Sequence, residues 1–293
     1  MGAGKAYRMG RIFGADGRTL VLPVDHGLTL GRIEALEDPV GRLDGLLELP
    51  CDVLLMTLGL TRLTAERFAR RGAPARVLTL DTFFRAPGET EAGAGLAASV
   101  EQAASLGVDA VKLYMAWDVP SRERAATLAR IAGVVERAER FDLPVMAEPI
   151  VAGQPRSEAT IAVEGDAARA AMEAGVDILK VAYPGPERMA AWSAELRLPL
   201  VILGGPRSGD ADAVLTLAEE AYRVVRTVFG RSILLGLEFL FAADIIRTVA
   251  VEPSLENVGV LGLIVLIRTF LGFSLEVEID GSWPWRRASA ERN

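Results

Sequence analysis

Residues 107–114 read Gly-Val-Asp-Ala-Val-Lys-Leu-Tyr, and residues 175–182 repeat the arrangement as Gly-Val-Asp-Ile-Leu-Lys-Val-Ala. In each copy a segment of helical period runs into a glycine, which readily adopts the left-handed conformation that ends a helix. The apolar residues after each aspartate then predict a short buried strand. The two copies therefore indicate βα units, which favour a parallel sheet covered by helices.

Short aliphatic runs alternate with longer helical segments through the first 220 residues. The segments at 95–106, 121–141, 164–174 and 186–196 are each long enough to cross back over a sheet. This order is typical of a TIM-type (β/α)₈ barrel, although a doubly wound sheet shares it. The predicted strands are Leu20–Val24, Asp52–Met56, Arg76–Leu80, Ala110–Tyr114, Pro144–Pro149, Asp177–Ala182 and Leu200–Leu203.

The composition excludes several classes of protein. Of the 293 residues, 51% are hydrophobic and 24% charged, the reverse of the pattern of disordered proteins. The net charge of −7 argues against general nucleic-acid binding, which needs a basic surface. The single cysteine, Cys51, excludes an intramolecular disulfide and a cysteine-rich metal site, and we expect it to be a small core residue.

Polar side chains occur near the carboxyl ends of the predicted strands, where barrel enzymes carry their chemistry. Asp25 and His26 follow the first strand, and Lys112, Glu148 and Lys180 lie within later ones. Lys180 is the most informative, because burial on an apolar strand disfavours a charged amine, and a neutral amine can attack a carbonyl. A second cation such as Lys112 nearby strengthens this effect. These residues predict a Schiff-base lysine at position 180.

Each of these residues also has a structural interpretation. Lys180 could be solvated or ion-paired, and Asp25 could cap a helix. Glu148 could be an ion-pair partner of Lys112, and His26 could serve packing alone. The residue types by themselves leave these alternatives open.

A phosphate site is predicted directly after the last strand. Residues 203–210 read LGGPRSGD, and the backbone N–H groups of Gly204 and Gly205 can approach an anion closely. Arg207 can add a charge-assisted hydrogen bond. A phosphorylated ligand is the natural interpretation of this loop.

Five short stretches occur together along the chain: RIF (11–13), VDHG (24–27), DAVKLY (109–114), DILK (177–180) and LGGP (203–206). With them, roughly residues 10–220 resemble the class I aldolases of the archaeal-type fructose-bisphosphate and tagatose-bisphosphate aldolase group. The resemblance implies that Lys180 forms the Schiff base and that Asp25 binds a substrate hydroxyl. It also implies that Gly204, Gly205 and Arg207 form part of a phosphate site, and we take His26 as a further candidate for substrate binding.

One segment of this chain departs from the archaeal-type fructose-bisphosphate aldolases and favours the tagatose-type members of the group. Archaeal-type fructose-bisphosphate aldolases have a Tyr-Pro-Arg-Gly segment after the fifth strand, with tyrosine as proton donor, where residues 146–150 here read MAEPI. Tagatose-type members instead have a glutamate on that strand and a lysine on the preceding one, which Glu148 and Lys112 match. The resemblance thus implies proton transfer by Glu148, aided by Lys112, in a metal-independent cleavage of a ketose phosphate. We expect no cofactor, and the single histidine argues against a zinc site.

The end of the chain is unusually apolar. The mean hydropathy of the whole chain is +0.27. The excess lies at residues 232–251 and 258–275, each long enough to cross about 30 Å of hydrocarbon as a helix. We therefore predict a barrel domain at 1–220 and an all-α, two-helix transmembrane hairpin domain at 221–293.

The C-terminal stretches are GR (230–231), LLGLEFL (234–240), AADIIRTV (242–249), VLIRTF (265–270), LEVE (275–278) and WPW (283–285). With them, residues 222–287 resemble a family of small bacterial integral-membrane proteins of unknown function. The resemblance implies no activity. Residues 222–232 could alternatively form a makeshift eighth strand, without which the barrel lacks a regular one.

Charged residues lie inside the two apolar runs, and each ionised group at mid-span costs about 2.5–3.5 kcal/mol on insertion scales. We expect Glu238, Asp244, Arg247 and Arg268 to pair in an inward network, either at an oligomer interface or along an ion path. Arginines flank both outer ends of the hairpin, so both termini are predicted to be cytoplasmic. The expected partners are a phosphorylated sugar, the lipid bilayer and further copies of the chain, with no nucleic acid.

Two alternatives to a membrane-tethered aldolase remain. The protein could be an inactive chimera whose hairpin acts as an oligomeric channel or scaffold. The apolar runs could also be core helices of a soluble, cytoplasmic protein.

Overall fold

The structure of the protein is a computed structural model, which describes residues 2–29, 31, 36–84, 93–151 and 156–204. Farther along it describes residues 220, 259–260, 262–267, 269–271 and 274. The chain forms two compact units. The first is Met1–Ala182 with Leu198–Leu203, and the second is Tyr183–Arg197 with Gly204–Asn293.

Strands and helices alternate through the first unit. The strands are β1 (Val21–Pro23), β2 (Val53–Met56), β3 (Ala75–Thr79), β4 (Asp81–Phe84), β5 (Gly93–Leu96), β6 (Ala110–Ala116), β7 (Val145–Ile150), β8 (Ile178–Ala182) and β9 (Leu200–Leu203). Its helices are α1 (Ala3–Ile12), α2 (Pro39–Leu46), α3 (Leu58–Leu63), α4 (Ala65–Phe68), α5 (Val100–Ser105), α6 (Ser121–Glu139) and α7 (Glu158–Glu173), with a 3₁₀ turn at His26–Leu28. The second unit contains α8 (Pro186–Leu196).

Seven strands form one parallel sheet in the order β1-β2-β3-β6-β7-β8-β9, and β4 and β5 form a separate antiparallel hairpin. Each new strand of the sheet is added beside the one before it, which is the order of a βα barrel. Among the described residues, β1 and β9 are the two edges. The sheet is therefore an α/β half-barrel of parallel strands.

One face of the sheet carries a core cluster that draws on every strand. Because side chains alternate between faces, residues two apart in a strand share this face. Its buried members are Val53, Leu55, Ala75, Val77, Ala110, Met146, Ile178 and Val201, with Val21 partly buried. Ile12 of α1 is 0% exposed and belongs to the same cluster. The first helix thus covers the end of the sheet where the strands begin.

Aspartates at the strand starts fasten the sheet and α1 together. Asp52, Asp109 and Asp177 accept the backbone N–H groups of Leu20, Arg76 and Val145, at 2.7, 2.9 and 2.9 Å. Asp109 also pairs with Arg11 at 2.7 Å, and Asp177 with Lys5 at 2.9 Å. The two Gly-Val-Asp repeats are therefore structural devices, with their glycines in the left-handed region at φ 63° and 90°.

All seven predicted strands are confirmed, with ends displaced by a residue or two. The helix predicted from residue 95 is wrong at its start, because Gly93–Leu96 is strand β5. Helix α5 begins only at Val100, where Ser99 and Gln102 form a capping box. Helix α7 begins earlier than predicted, because Ser157 and Thr160 form a second capping box before it.

The predicted transmembrane hairpin lies largely outside the described residues. The first apolar run, the alternative eighth strand at 222–232 and the charged residues Glu238, Asp244, Arg247 and Arg268 all fall there. In the second run, residues 259–260, 262–267 and 269–271 are helical. Within the part of the chain that the structure describes, no helix is both long enough and apolar enough to cross a membrane.

Candidate functional site

Two lysines flank one glutamate on neighbouring strands of the sheet. Strand β7 lies between β6 and β8, so Glu148 of β7 lies between Lys112 of β6 and Lys180 of β8. The Oε2 atom of Glu148 is 2.6 Å from Nζ of Lys112 and 3.1 Å from Nζ of Lys180. One carboxylate oxygen therefore links both amines.

Asp25 joins this cluster from the end of β1. Its Oδ2 atom accepts a hydrogen bond from the Thr79 hydroxyl at 2.6 Å and lies 3.4 Å from Lys112 Nζ. Burial alone would raise the pKa of Asp25, but the Lys112 charge and the Thr79 hydrogen bond hold it below its ordinary value. Asp25 precedes the 3₁₀ turn but makes no side-chain capping bond there. Its contacts are those of an ionised site carboxylate and not those of a helix cap.

The two lysines differ in exposure. The Lys112 side chain is 0% exposed and that of Lys180 is 10% exposed. Lys112 also lies against an aromatic ring, with Nζ 3.0 Å from the centroid of Tyr114. A carboxylate on two sides and a ring face on a third are the surroundings of an ammonium group. Lys180 pairs with Glu148, and its charge also acts on Asp25.

The lysine content of the chain is itself informative. Of the 32 lysines and arginines, only three are lysines: Lys5, Lys112 and Lys180. Arginine remains charged in proteins and cannot supply a neutral amine, so lysine and arginine are not interchangeable at a nucleophilic position. Two of the three lysines lie in this cluster, and the third is the partner of Asp177 at the opposite end of the strands.

A second polar group, Asp81 and Arg130, binds the backbone of Tyr114. Asp81, 0% exposed at the start of β4, accepts the backbone N–H of Tyr114 at 2.9 Å. Arg130 of α6 lies 3.3 Å from Asp81 Oδ2 without a hydrogen bond to it, and it donates to the Tyr114 carbonyl at 3.2 Å. Burial raises the pKa of Asp81 to about 7, against the Tyr114 N–H and the Arg130 charge, which lower it.

The remaining predicted site residues form no described hydrogen bond or ion pair with the cluster, although His26 acts electrostatically on the neighbouring Asp25. His26 begins the 3₁₀ turn, and its Nδ1 is buried with no hydrogen-bond partner among the described residues. Gly204 follows β9 and is exposed, while Gly205 and Arg207 lie outside the described residues. In the described part of the chain, no three His, Cys, Asp or Glu side chains gather as a metal site.

Sequence reasoning missed Thr79, Tyr114, Asp81 and Arg130. A signal existed for Tyr114, which is two residues after Lys112 in the same predicted strand and therefore on the same face. Thr79 likewise carries a hydroxyl in a strand that is otherwise apolar apart from Arg76. Asp81 and Arg130 had no local signal, because their contacts depend on where the hairpin and α6 are placed.

A parallel β/α half-barrel of this order, with lysines on its strands, is the architecture of class I aldolases. Residues 19–236 match the DeoC/LacD family of aldolases, and the chain belongs to that family. Residues 211–279 match a second family, described only as a protein of unknown function, DUF1622. Both resemblances expected from the sequence are thereby confirmed. The first is a family membership, and the second is a match to a family that assigns no activity.

Individual relatives agree with the family. An uncharacterized aldolase of Saccharolobus solfataricus is 29% identical over 74% of this chain and 83% of its own length. The 2-amino-3,7-dideoxy-D-threo-hept-6-ulosonate synthase of Halobacterium salinarum is 30% identical over 72% and 78%. The solved structure of a Schiff base forming fructose-1,6-bisphosphate aldolase is 25% identical, covers 75% of this chain and 88% of its own, and superposes with a TM-score of 0.60.

Proposed function

We propose that the protein is a class I aldolase that cleaves or forms a phosphorylated ketose through a Schiff base on Lys180. The observation that carries this proposal is the carboxylate of Glu148 between two lysine amines of unequal exposure. The similarity to a Schiff base forming aldolase supports it.

The geometry supports different roles for Lys112 and Lys180. Lys112 is fully buried and surrounded by Glu148, Asp25 and the Tyr114 ring, so it has no surface from which to attack a substrate. Lys180 keeps an exposed fraction and lies 3.1 Å from a carboxylate that can accept its proton. Lys180 is therefore the nucleophile, and Lys112 supplies fixed positive charge beside Glu148 and Asp25.

The proposed reaction balances with these groups alone. Lys180 gives a proton to Glu148, and the neutral amine adds to the ketose carbonyl, after which loss of water leaves a protonated imine. A base removes the β-hydroxyl proton, the bond between the α- and β-carbons breaks, and its electron pair forms the enamine while an aldehyde departs. A proton then adds to the enamine carbon, and water releases the ketone and the Lys180 amine. Glu148 moves the protons, and Asp25 binds a substrate hydroxyl.

The substrate class rests on the sequence and the relatives. The Gly204, Gly205 and Arg207 loop is proposed to hold the phosphate, with His26 beside the bound sugar. One relative acts on fructose 1,6-bisphosphate by its name, and another is a heptulosonate synthase. Dihydroxyacetone phosphate, the ketone that cleavage of fructose 1,6-bisphosphate releases, is therefore a suitable probe.

Covalent trapping tests the proposed function. Borotritide reduction in the presence of dihydroxyacetone phosphate is expected to incorporate tritium to about one equivalent per chain, because it reduces the imine irreversibly. Lys180→Arg keeps the charge but removes the nucleophile, so incorporation should fall to background. Lys5→Arg, far from the site and able to keep its ion pair, should incorporate as the unchanged protein does. Failure of the unchanged protein to incorporate label would refute the proposal and favour the inactive-chimera alternative.

We also propose that the two apolar runs attach the enzyme to a lipid bilayer. Their lengths support this, as do exposed apolar side chains in the described part of the second run. These side chains are 44–70% exposed and belong to Val260, Leu263, Leu266, Ile267, Phe270 and Leu271.

Carbonate extraction of membranes from cells that produce the full chain tests this attachment. The protein should stay in the pellet, and the double substitution Leu266→Arg and Phe270→Arg should move it toward the supernatant. The control Leu63→Arg, at a 71% exposed site of α3, should not. Complete release of the unchanged protein would contradict the attachment and leave the hairpin no bilayer role.

A further inference from the structure

Tyr114 is held at every polar atom it has. Its N–H donates to Asp81 at 2.9 Å, and its carbonyl accepts from Arg130 at 3.2 Å. Its hydroxyl donates to Asp25 Oδ2 at 3.4 Å, and its ring centroid lies 3.0 Å from Lys112 Nζ. Its side chain thus contacts two of the four clustered site residues, while the buried Asp81 carboxyl and the Arg130 guanidinium hold its backbone.

The support behind Tyr114 is energetically expensive and therefore needs a reason. Asp81 is 0% exposed, and burial raises its pKa to about 7 although the Tyr114 N–H and the Arg130 charge lower it, so the ionised carboxylate is costly to keep in this place. Asp81 and Arg130 both spend their described contacts on the backbone of Tyr114 and on each other. Among the described residues, neither makes a hydrogen bond or an ion pair with the Lys112, Glu148 and Lys180 cluster, although the charges of Lys112 and Glu148 act on the Asp81 carboxyl.

The phenol is a donor and not a base. Burial, followed by the charges of Asp25 and Glu148, raises the pKa of Tyr114 far above its ordinary range. The hydroxyl therefore remains protonated at physiological pH and donates to the Asp25 carboxylate. The ring face, which is electron-rich, lies against the Lys112 ammonium and stabilises its position.

We propose that Tyr114 is a positioning residue of the aldolase reaction, whose hydroxyl orients Asp25 and whose ring holds Lys112 against Glu148. The inference rests on the proposed function, because Asp25 and Lys112 act only within that reaction. With Lys112 held in place, Lys180 is the amine left to react. Asp81 and Arg130 hold the backbone N–H and carbonyl of Tyr114 and so fix its position in β6.

Two substitutions separate the hydroxyl from the ring. Tyr114→Phe removes the hydroxyl, which donates to Asp25 and is also hydrogen-bonded to Thr29, whereas Tyr114→Leu removes the ring contact with Lys112 as well. We expect the rate of hydron exchange from dihydroxyacetone phosphate in D₂O to fall about tenfold in Tyr114→Phe and about a hundredfold in Tyr114→Leu. Borotritide labelling of Lys180 should remain within about twofold of the unchanged protein in Tyr114→Phe. Tyr7→Phe, at a 68% exposed tyrosine, is the matched control and should change neither.

A substrate-free measurement separates this inference from the proposed function. Loss of the hydroxyl removes a donor to the charged form of Asp25, so the carboxyl ¹³C titration of Asp25 should shift upward by about half a pKa unit in Tyr114→Phe. If the Asp25 titration in Tyr114→Phe matches that of the unchanged protein, the positioning role is overturned. The same follows if the unchanged protein takes up label but Tyr114→Phe exchanges at the unchanged rate. Absence of label in the unchanged protein, with the titration shifted as expected, would refute the proposed function and leave the contact itself established.

Discussion

Lysine is nearly absent from the chain, and its three positions are each accounted for by a contact. Lys5 pairs with Asp177, while Lys112 and Lys180 share one oxygen of Glu148. Arginine supplies positive charge elsewhere in the chain. Because arginine is always charged and bulky, it cannot replace an amine that must lose its proton or fit within a sealed space. This contrast is the strongest residue-level argument for chemistry at the cluster.

Thr79 provides a test of the Asp25 carboxylate. Thr79→Val keeps the side-chain shape but removes the 2.6 Å hydrogen bond to Asp25, one of the contacts that lower the Asp25 pKa. That pKa should rise, and the acid limb of the hydron-exchange profile should move to higher pH, because the protonated carboxyl no longer accepts a substrate hydroxyl. Loss of one hydrogen bond to a charge should move this limb by about one pH unit, so activity on the acid side should fall about tenfold while activity near neutral pH changes little.

The control for this prediction is Thr61→Val. Thr61 is equally buried and donates to the Thr57 carbonyl in α3, away from the cluster. Its pH profile should coincide with that of the unchanged protein. Coincident acid limbs in Thr79→Val and the unchanged protein would show that Asp25 does not depend on Thr79.

The sequence predicted the residues of the cluster better than it predicted the residues that hold them in place. Lys112, Glu148 and Lys180 could be placed together because each is a polar residue within an apolar strand, and neighbouring parallel strands bring such positions side by side. Tyr114 follows the same alternation and was within reach of that reasoning. Asp81 was not, because its partner Arg130 comes from the middle of α6 and no local pattern encodes that contact.

Helix α1 closes the end of the sheet opposite the cluster. Ile12 lies in the core with the first residues of several strands, while Lys5 and Arg11 pair with the aspartates that precede β8 and β6. The helix therefore joins strands that are not neighbours in sequence. The motif that contains Arg11 and Ile12 contributes to folding and has no described contact with the cluster.

Substitution of Ile12 measures this contribution. Ile12→Ala removes a fully buried side chain and leaves a cavity, so the free energy of unfolding should fall by about 2–5 kcal/mol. Urea denaturation followed by circular dichroism gives the value. Leu63→Ala, at a 71% exposed position, should change it by less than about 0.5 kcal/mol. Equal losses in the two variants would mean that α1 does not fill the core.

At the scale of elements, strands were easier to predict than their neighbours. The seven strands of the sheet are short runs, and each was found because burial on both faces leaves a mostly apolar segment interrupted at most by single polar residues. The β4 and β5 hairpin was missed because glycine and alanine dominate its second strand, Gly93–Leu96, and give no alternation. Its first strand begins directly at Asp81, so the missed hairpin also hid the support behind Tyr114.

The whole chain joins two family matches that overlap at residues 211–236. The parallel sheet was predictable from the repeated βα pattern, and the aldolase family from the five short stretches that carry the resemblance. The boundary near Ala221 and the two domains divided there remain predictions, as does the bilayer attachment. The excess hydrophobicity that suggested them lies mostly in residues outside the described part of the chain.

The most direct test of the account is the position of the trapped substrate. With only three lysines, borohydride reduction in the presence of dihydroxyacetone phosphate, followed by trypsin and mass spectrometry, gives an unambiguous readout. Modification of Lys180 blocks cleavage there, so the account predicts a single joined peptide, residues 170–188, heavier by one reduced triose phosphate. An adduct on Lys112 or Lys5, or complete cleavage after Lys180 with no added mass, would contradict it.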